Sequence, residues 1–249
     1  LTQVLEGFTG LGPVVNSGLP AVVTFDGVNG RRRTEDEILK DLNRLLPGDI
    51  AYGHLHANPE ITEFVCRQGT APYFILRDPR DVVLSHSHYI TEMETNHVYH
   101  HYYSEVLQNE NERIEASIKG ISKEIFQDRQ NTSINSELPD ILARFSPYIG
   151  WLNQPEVLVL HFEDFITNQQ TSIVQVLDHA VKRGFIPTFS NEVSIQNLVE
   201  SIDPRQSPTF RSGKIGGWHT AFNAKNKELF KHVTGDLLIQ LGYEKDYLW

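Results

Sequence analysis

The sequence predicts an α/β fold: a single domain whose parallel β-sheet carries helices on both faces. Three observations lead there. Residues 73–76 (YFIL) and 157–161 (VLVLH) are compact apolar runs without polar alternation, as strands buried on both faces require. Stretches with apolar residues at helical spacing lie between and around them. Strand-like and helix-like segments then alternate along the chain, the pattern of a parallel sheet with crossover helices. At 249 residues the chain can bury a sizeable core.

The elements follow in order. Leu1, Val4, Leu5 and Phe8 share one helical face, and Gly10 and Gly12 stop that helix. No Met opens the chain, so this helix is expected to be under way already, in a polypeptide cut from or continuing a longer one. Residues 21–25 (AVVTF) read as a short strand, and residues 27–33, ending in Arg31, Arg32 and Arg33, as a turn. Thr34 followed by Glu37 has the spacing of a capping box, with Ile38, Leu42, Leu45 and Leu46 as the buried stripe. Residues 49–54 give a short strand ending at His54, and Asn58-Pro59 opens a helix to about Gln68. Pro79 begins a long polar helical region over 81–129, and 131–137 break it. Helices are expected over 138–152, 171–183, 191–201 and 224–241, with 203–218 irregular.

Composition narrows the function. The formal net charge is −10, from 22 Lys and Arg against 32 Asp and Glu, so neither nucleic acid nor an anionic membrane surface is an expected partner. The single cysteine, Cys66, allows no internal disulfide and no cysteine-based zinc site. Apolar runs stay far below the roughly 20 residues of a membrane span, and no basic, apolar leader opens the chain. These features predict a soluble cytoplasmic protein.

Two stretches carry chemistry. In residues 73–89 (YFILRDPRDVVLSHSHY) a buried strand ends at Arg77 and a helix starts past Pro79. That edge is where open α/β sheets bind ligands and where helix N-termini present free N–H groups. A guanidinium at Arg77 and a hydroxyl at Ser85 suit a phosphate; alternatively, Arg77 pairs with Asp78 or Asp81 and only ties strand to helix. In residues 210–222 (FRSGKIGGWHTAF), Arg211, Ser212 and the glycines Gly213, Gly216 and Gly217 precede a helix, an arrangement that makes an anion-binding nest of N–H groups. His54 ends a strand at the same kind of edge, where a neutral imidazole can accept a hydroxyl proton near pH 7. It also reads as a hydrogen-bonded structural histidine.

Together these stretches resemble the sulfotransferases that use 3′-phosphoadenosine 5′-phosphosulfate (PAPS). RDPRDVVLS is similar to the family's Arg-x-x-x-Asp-Val-x-x-Ser segment, FRSGKIGGWHTAF to its Arg-Lys-Gly-x-x-Gly-Asp-Trp loop, and VLVLHFEDF to its strand with Tyr-Glu-Asp, in the same chain order. The resemblance implies a P-loop-like sulfotransferase fold whose first strand and phosphosulfate loop are not in this chain and are expected upstream of Leu1. It implies PAPS as donor, 3′-phosphoadenosine 5′-phosphate (PAP) as product, and no metal. Arg77 and Ser85 would hold the 3′-phosphate, Arg211, Ser212 and Gly213 would close over it, and Phe162 would contact adenine. A further adenine-stacking ring of the family falls at Ile195. Ser212 and Gly217 replace the family's lysine and aspartate. Tyr52-Gly53-His54-Leu55-His56 resembles Lys-Thr-His-Leu-Pro, which makes His54 the general base, with His56 a rival and His219 a further contact to phosphosulfate or acceptor.

His86, His88, His97, His100 and His101 crowd one stretch, and His97 and His101 have the i, i+4 spacing of a helical metal pair, with Glu94 or Glu105 as a further ligand. A polar lid or acceptor-side helix explains them as well, with Tyr89, Tyr99, Tyr102 and Tyr103 lining a channel, forming a flap or filling core. The His88-Tyr89-Ile90 sequence is similar to the bacterial branch that serves polyketide synthases, which implies a β-hydroxyacyl group on an acyl carrier protein as acceptor. Small alcohols, phenols and lipids are the other acceptors. A nucleotide kinase of related fold and a catalytically inactive carrier-docking module are the competing classes.

Overall fold

Successive side chains of a strand point to opposite faces, and this rule organises the first half of the architecture. A computed structural model describes residues 1–130, 137–206 and 213–249. The chain divides into two compact units, one of residues 1–24, 33–76 and 148–213, the other of residues 25–32, 77–147 and 214–249. Elements are numbered along the chain.

In the first unit, β5 (Tyr73–Leu76) and β6 (Leu158–His161) are parallel, Tyr73 opposite Leu158 and Leu76 opposite His161. Tyr73, Leu158 and Leu160 join one core with Val4 of α1 (Thr2–Gly7), Phe8, and Ile173, Val176 and Leu177 of α9 (Gln169–Lys182). Phe74 and Val157 join another with Ile38 and Leu42 of α2 (Glu35–Leu42), Ile61 of α3 (Pro59–Cys66) and Trp151. Side chains on both faces thus meet helix-bearing cores, which favours apolar residues in these runs, although Ile75 remains 38% exposed. Fully burying each such side chain contributes about 1.5–3 kcal/mol. The capping box forms: Glu37 N–H donates to Thr34 Oγ1 at 3.3 Å and Thr34 N–H to Glu37 Oε2 at 2.8 Å. Leu46 departs from the expected stripe, because α2 ends at Leu42 and leaves it 70% exposed.

The expected strands near His54 are shorter than their sequences suggested. β1 (Val22–Val23) and β4 (Gly53–His54) pair in parallel, with Val23 opposite His54, while Asp49 makes only an isolated parallel bridge to Val15. A Cβ at Gly53 would come within 2.6 Å of the Val22 carbonyl oxygen, so glycine allows the close approach that seats His54.

In the second unit, β2 (Phe25–Asp26) and β3 (Arg31–Arg32) form an antiparallel hairpin where the sequence suggested a turn through the arginines. The region 81–129 is not one helix. α4 (Pro79–His88) passes into π turns over Tyr89–Met93 and Tyr102–Val106, and then come α5 (Glu110–Lys119) and α6 (Lys123–Gln130). The breaks are chemical: Asn109 caps α5 by accepting from Glu112 N–H at 3.0 Å, and Gly120 ends it at φ +76°. α7 (Ile141–Ile149) is shorter than expected because Leu138 bridges back to Ile121. The C-terminal helix splits at Gly235, φ +52°, into α12 (Ala224–Thr234) and α13 (Leu237–Gln240). Among the described residues no helix is long and apolar enough to cross a membrane.

A polar network ties α4 to α5. His86 Nδ1 lies 3.2 Å from Ser117 Oγ, which lies 2.9 Å from the Tyr103 hydroxyl. Burial holds the His86 pKa well below its ordinary 6.5. As pH falls from 6.5 towards that lowered value, the unfolded chain takes up the proton and the folded one does not, so stability drops by up to about 1.4 kcal/mol per pH unit. Urea unfolding of His86→Gln is therefore expected to show a shallower loss of stability between pH 7 and pH 5 than the parent. Identical slopes would remove His86 from the acid response.

Candidate functional site

The start of α4 organises the second unit's candidate site. Asp78 caps the helix by accepting from Arg80 N–H at 2.9 Å, and Pro79 takes the first helical position, where its missing N–H costs nothing. Asp78 also receives Arg80 Nε and Nη2, at 3.0 and 2.7 Å, and Glu244 receives Arg80 Nη1 at 2.5 Å. The Arg80 guanidinium lies 3.7 Å from the ring centre of Trp218 and 4.6 Å from that of Trp249. Asp78, one of the alternative partners for Arg77, thus binds Arg80. Arg77 itself donates from Nη2 to the Lys214 carbonyl at 3.2 Å.

Asp81 is 2% exposed and receives two backbone N–H groups of the glycine loop, Gly216 at 2.7 Å and Trp218 at 3.0 Å. The nest read from the sequence does form here, but Asp81 fills it, so these two N–H groups are not open to a bound phosphate. Gly216 has φ +70°, which favours glycine. A Cβ at Gly217 would lie 3.6 Å from Asp81 Oδ1. An aspartate at 217, as in the resembled motif, would set a second carboxylate beside the first.

Ser85 is exposed on α4, one turn beyond Asp81 on the same side. His219, in the short α11 (Trp218–Ala221), is exposed and stacks on Trp218 with ring centres 3.7 Å apart. The second unit therefore ties Arg77 to the 214–218 loop, next to which His219 follows in the chain, while Ser85 lies further along α4. Gly213, φ +58°, lies just before that loop; Arg211 and Ser212 fall outside the described residues.

His54 and Phe162 belong to the first unit. The His54 carbonyl accepts from Thr24 N–H at 3.2 Å and Thr24 Oγ1 at 3.0 Å, which fixes the backbone that carries the imidazole. The residue is accessible at the surface, yet enough protein surrounds the ring that desolvation lowers its pKa and keeps it neutral near pH 7. His56 is half-buried and meets Tyr148 edge to face at 5.0 Å. Phe162, half-buried, opens α8 (Phe162–Thr167) directly after β6. Ile195, on α10 (Asn191–Glu200), packs against the first core.

The histidine-rich stretch does not make the helical metal pair that its spacing allowed as one reading. His97 lies in a bend, its Nδ1 accepts from Tyr99 N–H at 3.2 Å, and burial lowers its pKa to about 4. His100 lies 2.7 Å from the Ile90 carbonyl oxygen, and His88 pairs with Glu92 at 3.0 Å. Among the described residues no cluster of three or more His, Cys, Asp or Glu is placed to hold a metal. Tyr99, Tyr102 and Tyr103 are core, and Tyr89 is half-buried at its edge. Sequence reasoning missed the roles of Arg80 and Asp81. The signal was a pair of opposite charges set directly before the apolar Val82-Val83-Leu84, on a helix whose start is buried.

A family model described as a sulfotransferase domain matches residues 73–242, well over half of the chain. A crystal structure of retinol dehydratase with androsterone and the inactive cofactor PAP is similar at TM-score 0.56 and 17% identity, over 95% of this chain and 76% of that one. The complex of retinol dehydratase with retinol and PAP gives 0.56 and 16%, over the same shares. A mouse sulfotransferase complexed with PAP gives 0.58 and 14%, over 97% of this chain and 84% of that one. At these identities the likeness is one of fold. Comparison with curated protein sequences gives no match. The matched span runs from β5 through Arg77 and Asp81 to the loop they hold, beginning after His54, and since it covers well over half of the residues the chain belongs to the sulfotransferase family.

Proposed function

We propose that the protein transfers the sulfuryl group of PAPS to an acceptor hydroxyl, and that Arg77 and Ser85 bind the donor's 3′-phosphate. The supporting observation is the direct connection of two sequence-distant motifs: Arg77 donates to the Lys214 carbonyl, and Asp81 binds the N–H groups of Gly216 and Trp218. This ties the Arg77 guanidinium to a glycine-rich loop, and Ser85 belongs to the same helix as Asp81. Arg211, Ser212 and Gly213 complete the phosphate site in this reading, and Phe162 contacts adenine.

In the reaction His54 removes the acceptor's hydroxyl proton as its oxygen attacks sulfur. The bond from sulfur to the 5′-phosphate oxygen breaks, and PAP leaves with the electron pair. His54, neutral through desolvation, is in the form this step needs. His219 contacts phosphosulfate or acceptor. Positioning and electrostatic stabilisation provide most of the acceleration, as in phosphoryl transfer. The acceptor we favour is a β-hydroxyacyl group on an acyl carrier protein, supported by the similarity of His88-Tyr89-Ile90 to that bacterial branch. The single cysteine agrees with a reducing, cytoplasmic setting.

Calorimetric titration with PAP, and with ADP as control, tests the donor reading. PAP is expected to bind and ADP to bind far more weakly. Preference for ATP with magnesium over PAP would replace sulfuryl transfer with a kinase.

A further inference from the structure

From the same geometry we infer that Asp81 is a positioning residue for the donor site, which it serves without touching the donor. The inference rests on the proposed 3′-phosphate role of Arg77. A long guanidinium side chain must be held still before it can recognise a phosphate at low entropic cost. Here one hold on Arg77 is a backbone carbonyl, that of Lys214, on a glycine-rich loop. Such a loop has little intrinsic preference for one conformation. Asp81 supplies the preference: its two carboxylate oxygens take one N–H each, from Gly216 and Trp218, in a setting almost closed to water. Hydrogen bonds to an ionised acceptor are the stronger kind. The neighbouring Arg80 holds the indole of Trp218 by its face, so consecutive side chains of α4 fix one loop residue by its backbone and its ring. Asp81 therefore acts on Arg77 through the loop and the Lys214 carbonyl, and its own helix also carries Ser85.

The test compares PAP with AMP, which lacks the 3′-phosphate, by calorimetry on the whole protein and on Asp81→Asn. Asparagine keeps the shape, but it turns one acceptor into a donor that faces an N–H. PAP affinity is expected to fall about tenfold to a hundredfold, the scale of a lost charged hydrogen bond, with AMP affinity within about twofold. A merely structural role would weaken both nucleotides together, or neither. If the parent prefers PAP and the variant keeps the full preference, the positioning role is overturned and the phosphate reading stands. If the parent shows no preference for PAP, both fall. Should the variant not fold, hydrogen exchange on the nucleotide-free parent decides: the Gly216 and Trp218 amides are expected to be protected, and exchange at unprotected rates would overturn the anchor.

Discussion

His54→Ala is expected to lower the rate of sulfuryl transfer about 10²- to 10⁴-fold, the usual contribution of a positioned general base, while PAP affinity stays within about twofold. Single-turnover kinetics with pre-bound PAPS separates the two. The backbone at this position is held by Thr24 and by the β1–β4 pairing rather than by the imidazole, so its removal should leave the strand in place. The pH profile gives an independent check. Desolvation lowers the His54 pKa from 6.5, so the base form persists into mildly acidic solution and the acid limb of kcat/KM is expected below pH 6.5. A near-normal rate in the variant would move the proton acceptor to His56 or His219.

Arg77→Ala is expected to weaken PAP binding by about 1.5–3 kcal/mol, the range for a hydrogen-bonding group lost from a charged partner. AMP should bind the variant nearly as well as the parent, because the loss concerns only the 3′-phosphate. The variant also frees the Lys214 carbonyl, which sits in an exposed loop residue where water replaces the lost donor. Thermal stability should therefore change little. Unchanged PAP affinity would overturn the phosphate assignment of the whole α4 start.

The sequence made some features legible and hid others for identifiable reasons. β5 and β6 could be read because side chains from both of their faces join cores, which favours apolar residues over polar ones. The Thr34–Glu37 capping box could be read because it is local: two residues three positions apart carry its donors and acceptors. The strand around His54 was over-extended because apolar content says nothing of pairing, and only Gly53–His54 finds a partner strand there. The region 81–129 was over-extended for another reason. Its polar residues are compatible with a helix, while caps such as Asn109 act at single positions. Arg77 and His54 were found as isolated residues with suitable chemistry at strand ends. The bond from Arg77 to Lys214 and the Asp81 anchor could not be seen, since each joins residues more than a hundred positions apart. The nest was recognised from its glycines, but its occupant, a carboxylate of the protein itself, was not.

The indole positions give the protein a built-in optical division. It has three tryptophans. Trp151 Nε1 donates to the Leu55 carbonyl at 2.7 Å, one residue past His54, whereas Trp218 and Trp249 meet edge to face at 5.5 Å with the Arg80 guanidinium against both. Emission from Trp151 alone therefore reports the surroundings of the proposed base. The other two form an excitonic pair beside a fixed cation, and their signal follows the glycine loop. Because indole bands overlap, separating the two signals takes variants that keep only Trp151 or only the Trp218–Trp249 pair.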